Sequence, residues 1–225
     1  MLAAVRELVT CVCPSVRICR CPRGRAEIRV AKESIWLCAV EGKSSGRVIL
    51  LNGASSSGKS SIGRALQRVL ADHWYLFPVD SLGAMRSTEH ARVLNEGEID
   101  AMLRRTRMGY HRAVAALASV GNDVIMDYPL SEPWRLDDLL DVLEGYDVTV
   151  VDVHCCPDEL DRRERARGDR PIGLARSQRV FRHDDRDIAV DTTNTSPEAC
   201  AIAIATELAA LGPDKAFDRL RTLRC

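Results

Sequence analysis

Lys59 stands in Gly53-x-x-x-x-Gly58-Lys59-Ser60, where two glycines, an ammonium group and a hydroxyl share one short stretch. Glycines let a backbone curl until successive N–H groups converge on one point, and a helix starting there adds its positive end. Gly53, Ala54, Ser55, Ser56, Ser57, Gly58, Lys59, Ser60 and Ser61 therefore form a candidate phosphate cradle. In such a cradle Lys59 reaches the β and γ oxygens of a nucleotide, and the Ser60 hydroxyl holds Mg²⁺. A helix-start loop with no ligand would account for the glycines and serines, but not for a lysine at that one spacing.

Two carboxylates and a run of arginines are the other groups with chemistry in them. Asp80 follows the extended segment Trp74–Val79, where it could accept the proton of an attacking hydroxyl; a base so placed is worth roughly 10²- to 10⁴-fold in rate. Its plainer use is to cap the turn begun by Ser81. Asp127 ends Asp123-Val-Ile-Met126, the apolar-strand-then-acid pattern in which the carboxylate serves Mg²⁺, with Tyr128 as a wall of the site. It too could be a cap. Arg167-Gly168-Asp169-Arg170 breaks a charged helix with a glycine, so Arg167 and Arg170 are candidates for a lid that brings cations to a transferring phosphoryl group. Charged helix faces are more often simply solvated. Asp80-Ser-Leu-Gly83 also matches the D-x-x-G of GTP switches, but no N-K-x-D for reading guanine occurs anywhere.

The elements that must carry these groups alternate along the chain. Val48–Leu51 reads as a buried strand, a helix follows to about Asp72, and Trp74–Val79 is extended. The chain then looks irregular until a helix from about Glu98 to Val120, stopped by Gly121-Asn122. Strand 123–127, a helix over 134–143, strand 148–153, a helix from about Pro157 and a helical stretch over 173–182 come next. A short strand at 188–190 and a helix closed at its start by Thr195-Ser-Pro-Glu198 complete the pattern. This alternation predicts βαβ units, a mainly parallel sheet, and ligands outside the carboxyl ends of its strands.

Composition narrows the class further. The 225 residues are 46% hydrophobic, enough for one sizeable core, and zero formal net charge gives no global sign of a nucleic-acid or membrane-surface partner. No apolar run approaches the roughly 20 residues of a membrane span. Residues 1–46 read as a poorly ordered leader, with eight Lys/Arg against four Glu, a formal excess of four positive charges. Cys11-x-Cys13 and Cys19-x-Cys21 are closer together than zinc ligands usually are. The nine cysteines are odd in number, so free thiols in a reducing, cytoplasmic setting are expected.

Taken in order, the loop with Arg47-Val-Ile-Leu-Leu-Asn52 before it, Val79-Asp80-Ser81-Leu82, Asp123–Asp127, Arg167-Gly168-Asp169-Arg170 and Val190-Asp191-Thr192-Thr193 resemble the chloramphenicol phosphotransferase family from about Arg47 to Leu211. The resemblance implies a P-loop kinase fold with a five-stranded parallel sheet in three αβα layers. It implies transfer of the γ-phosphate of ATP to a primary hydroxyl, with Asp80 as base and Arg167 and Arg170 on the lid. The stretch Ala84–Val93 departs from it and is more polar than a pocket for an aromatic antibiotic predicts, and Tyr128 replaces a second acid. The expectation is an ATP- and Mg²⁺-dependent O-phosphotransferase over residues 47–225. Its partner is a small hydroxyl-bearing acceptor, and a homo-oligomer is left open. A kinase of a cellular metabolite or nucleotide, and a nucleotide-binding regulator without an acceptor, are the alternatives. Trp74, Phe77, Tyr128 and Trp134 could line a pocket, although large rings more often pack in cores.

Overall fold

The computed structural model describes residues 45–87, 89, 94–168 and 173–224. The expected leader lies outside these residues except for its last two, and Arg170 lies outside them as well.

Five strands, β1 (Arg47–Asn52), β2 (Trp74–Pro78), β3 (Asp123–Asp127), β4 (Asp147–His154) and β5 (Ile188–Asp191), form an all-parallel sheet in the order β2-β3-β1-β4-β5. Alternate side chains of β1 serve opposite faces, as the two-residue period of a strand requires. Val48 and Leu50 pack with Val124, Met126, Val148 and Val150, while Ile49 and Leu51 pack with Ile125, Val151 and Val153. A strand apolar on both faces can only be central, which explains its unbroken run of hydrophobic residues.

Helices cover both faces. Tyr110, Val114 and Ala118 of α3 (Glu96–Ser119), with Leu139 and Leu140 of α4 (Pro133–Val142), close the first core. Ile62 and Leu66 of α1 (Lys59–Val69), with Ala201 and Ile204 of α7 (Pro197–Ala210), close the second. Each large aliphatic side chain so buried contributes roughly 1.5–3 kcal/mol, so the strand beneath the loop is held from two sides. The remaining helices among the described residues are α2 (Val79–Ala84), α5 (Pro157–Arg167), α6 (Leu174–Ser177) and α8 (Ala216–Thr222).

The boundaries differ from the sequence pattern where local chemistry intervenes. α1 ends at Val69 rather than near Asp72. β2 stops at Pro78, which has no N–H for the ladder, and α2 forms where irregular chain was expected. The helix expected over 173–182 is only Leu174–Ser177, because Gln178 turns extended and the chain beyond it is diverted to the site. α3 begins two residues early, at a capping box in which Asn95 and Glu98 bond each other's backbone N–H at 3.0 and 2.9 Å. The tail, with no clear pattern in the sequence, forms α8 and buries Phe217 and Leu220 in the first core.

Candidate active site

All five strands run the same way, so their carboxyl ends meet along one edge, and a cavity of about 800 Å³ opens there. The loop after β1 forms its floor. Gly53 has no room for a side chain, since a Cβ would stand 2.5 Å from the Val153 carbonyl oxygen and 2.7 Å from Ser57 Oγ. Ser56 at φ 61° and Gly58 at φ 96° take left-handed conformations, which curl the loop tightly. α1 starts at Lys59 with no side-chain cap, leaving the amides of its first turn facing the cavity end of the helix. The buried hydroxyls of Ser56 and Ser57 have no hydrogen-bond partner among the described residues.

Lys59 is almost wholly buried, with Nζ donating to the carbonyl oxygens of Gly53 at 2.8 Å and Ala54 at 2.7 Å and standing 3.9 Å from Asp127 Oδ1. Ser60 Oγ donates to Asp127 Oδ2. A hydroxyl and a carboxylate side by side at the end of the cradle are hard oxygen donors of the kind Mg²⁺ takes when phosphates and water complete its shell. The residues present therefore fit that ion, and among the described residues no cluster of three or more His, Cys, Asp or Glu offers a different metal site. Asn52 ties the floor to its surroundings: its Nδ2 donates to Asp152 Oδ1 and the Val180 oxygen, each at 2.9 Å, and its Oδ1 accepts from Leu130 N at 2.9 Å. Burial pushes the Asp152 carboxyl upward.

On the β2–β3 side, Asp80 lies exposed in the first turn of α2 and lines the cavity. The Tyr110 hydroxyl donates to the Phe77 carbonyl at 2.5 Å, pinning the end of β2 against α3. From α3 and α4, Arg107 and Arg135 reach the same wall. Arg135 donates to the Pro129 oxygen at 2.8 Å and pairs with Glu132, while its guanidinium lies 5.7 Å over the Tyr128 ring. Tyr128 itself is fully buried among Tyr110 and His111 and is no wall of the site. Burial drives its hydroxyl pKa upward. Trp74 and Phe77 belong to the cores, and Trp134 donates to Glu132 at 2.7 Å. None of these four rings lines the cavity.

On the β4–β5 side the chain supplies a brace that the sequence did not single out. Arg163 donates to the Thr192 oxygen at 2.6 Å, to Thr192 Oγ1 at 3.0 Å and to Glu159 at 2.7 Å. Thr192 Oγ1 in turn donates to the Ser57 oxygen at 2.8 Å. Hydrogen bonds from Arg162 and then Arg163 hold Glu159 well below the ordinary carboxylate range, at about 2. Gln178 Oε1 accepts from Ser55 N at 2.6 Å. α5 ends at Gly168 with φ 66°, the glycine break expected there, and Arg167 lines the cavity. Glu164, buried, accepts from Gly173 N and Ala175 N at 2.8 and 2.7 Å and fixes the chain where it returns.

The structure thus brings together the loop, Asp80, Asp127 and Arg167, and adds Arg107, Arg135, Arg163 and Thr192. Helix phase was the one available signal for Arg163, which is spaced four residues from both Glu159 and Arg167. Among the described residues no helix is long and apolar enough to cross a membrane.

Known proteins resemble this chain in sequence and fold. Two relatives from Mycobacterium tuberculosis strains, whose names propose O-phosphotransferase activity, are each 32% identical over 207 residues, covering 82% of this chain and 92% of the relative. An APS kinase from M. tuberculosis solved with AMPPNP and APS superposes with a TM-score of 0.58 at 18% identity, over 73% of this chain and 98% of the other. A shikimate kinase from Acinetobacter baumannii solved with shikimate gives 0.52 at 14%, over 76% and 97%. Both share its fold, that of a P-loop kinase. Residues 46–209 match the family described as chloramphenicol phosphotransferase-like protein. The chain belongs to that family and is a small-molecule kinase.

Proposed function

We propose that the protein moves the γ-phosphoryl group of ATP to the hydroxyl of a small alcohol, with Asp80 as the base. The observation that carries this is the placing of Asp80 and the Lys59–Ser60–Asp127 group on one cavity wall and floor. Mg·ATP supplies the phosphoryl group. The loop amides and Lys59 bind the phosphates, and Ser60 with Asp127 holds the ion. Asp80 orients the acceptor and takes its hydroxyl proton as the oxygen bonds to the γ-phosphorus and the bond to the β-phosphate oxygen breaks, leaving ADP. Arg167, with Arg170, meets the charge that spreads over the transferring oxygens.

Incubation with γ-labelled ATP, Mg²⁺ and chloramphenicol, followed by mass measurement, tests the reading: the expected product is heavier by one phosphoryl group. Asp80→Asn is expected to leave nucleotide binding nearly intact and to lower turnover at least about a hundredfold; unchanged turnover removes Asp80 from the role. A second acceptor class, an acidic metabolite, is favoured by one observation, the two arginines on the Asp80 side of the cavity.

A further inference from the structure

We propose that the acceptor is an alcohol that also carries an anionic group, and that Arg107, on the wall shared with Asp80 and Arg135, binds that group. The proposal rests on the kinase reading above and adds the chemical class of its second substrate.

Arg107 lies three residues before Tyr110 on α3, whose hydroxyl is tied to the end of β2, so its position on the cavity wall is set by a rigid contact. It is only partly exposed, yet among the described residues it makes no hydrogen bond and no ion pair. Burial first, and then the neighbouring Arg135 cation, disfavour its charge. Two carboxylates of this part of the molecule are already held. Glu132 is held by Trp134 Nε1 and Arg135, and Asp127 by Ser60 and Lys59. Beside Arg107, the Arg135 Nε and the Tyr128 hydroxyl are buried without a partner among the described residues. A half-buried guanidinium next to another cation is costly to keep, and its planar fork suits two oxygens of a carboxylate, sulfate or phosphoryl group.

Nucleotide phosphates do not explain Arg107 as well. The cradle with Lys59 sits on β1, while Arg162, Arg163 and Arg167 come from α5 on the far side of it. Arg107 and Arg135 come from α3 and α4, on the wall where Asp80 would receive the acceptor. A neutral acceptor would leave Arg107 without a counter-charge.

The test uses the full chain saturated with Mg·AMPPNP, which occupies the cradle, and titrates inorganic sulfate while following arginine Nε–Hε resonances and heat. Sulfate is expected to bind in the millimolar range, with Arg107→Met weakening it at least about tenfold. Arg104→Met, an exposed residue of the same helix, is expected to leave it unchanged. In turnover, glycerate and 4-(hydroxymethyl)benzoate are compared with glycerol and benzyl alcohol. A higher kcat/KM for the acids, lost through KM in Arg107→Met, supports the proposal. Absence of sulfate binding to the AMPPNP complex, or equal binding by Arg107→Met, overturns it and leaves the kinase reading standing. Loss of AMPPNP affinity in Arg107→Met assigns the residue to the γ-phosphate and also overturns it. Failure of the unmodified chain to bind AMPPNP brings down the kinase reading and this inference together. If no alcohol is turned over, the sulfate titration decides.

Discussion

Each wall of the cavity carries an arginine, Arg163 on one and Arg107 on the other, in opposite states. On the β4–β5 wall Arg163 is bonded to Glu159 and Thr192, and Thr192 passes the connection to the Ser57 carbonyl in the floor. On the β2–β3 wall Arg107 stands beside Arg135 with, among the described residues, no carboxylate of its own. An arginine already braced holds a shape, whereas one short of a partner holds a binding capacity. On the function proposed above, the braced wall would serve the nucleotide common to P-loop kinases and the other wall the acceptor particular to this one.

The largest effect tests the floor that both walls share. Lys59→Met is expected to lower turnover about 10²- to 10³-fold whichever acceptor is used, read from kcat in steady-state kinetics. If the loss varied with the acceptor, the floor would not be common to the two walls. Arg163→Met is expected to raise KM for ATP about tenfold and leave the acceptor KM alone; a shift in acceptor KM would erase the distinction. Thr192→Val keeps the side-chain shape and leaves the buried Ser57 oxygen without that donor, so stability should fall by about 1–3 kcal/mol in a denaturant titration. The smallest effect is in the titration of Glu159. Its pKa is depressed in the folded chain, so its contribution to stability is present above about pH 4.5 and is lost as pH falls towards about 2. Carboxyl carbon shifts should place its midpoint near 2, and Arg162→Gln should move it back towards the ordinary carboxylate range.

Much of the fold could be read from the sequence because strand and helix periods are local. Val48–Leu51 is legible as a buried strand and Asp123–Asp127 as a strand ending in an acid, and the glycine and lysine spacing marks the loop that forms the floor. The β2–β3 wall could not be read in the same way. Arg107 and Arg135 lie on separate helices among other charged residues, and only the rotation of α3 fixed by Tyr110 puts Arg107 in the cavity. Arg163 was hidden for a similar reason: its run contains Arg162, Arg165 and Arg167, and of these Arg165 bonds, among the described residues, only its own helix, at the Asp161 oxygen. Asp80 was read as a strand-end residue but stands in α2, since Pro78 closes the strand and an acid suits a helix's first turn. The short tail helix escaped because seven residues hold too few turns for a pattern to emerge.

β2 is an edge strand, paired among the described residues with β3 alone, whereas β1 is flanked on both sides and wedged between two cores. Changes in the border strand and the helices leaning on it can therefore accumulate without loosening the strand that carries the glycine loop. A lineage built on this plan is free to trade one client molecule for another while its grip on the common currency stays the same, and that is how a family named for an antibiotic can contain a member whose wall is lined with arginine.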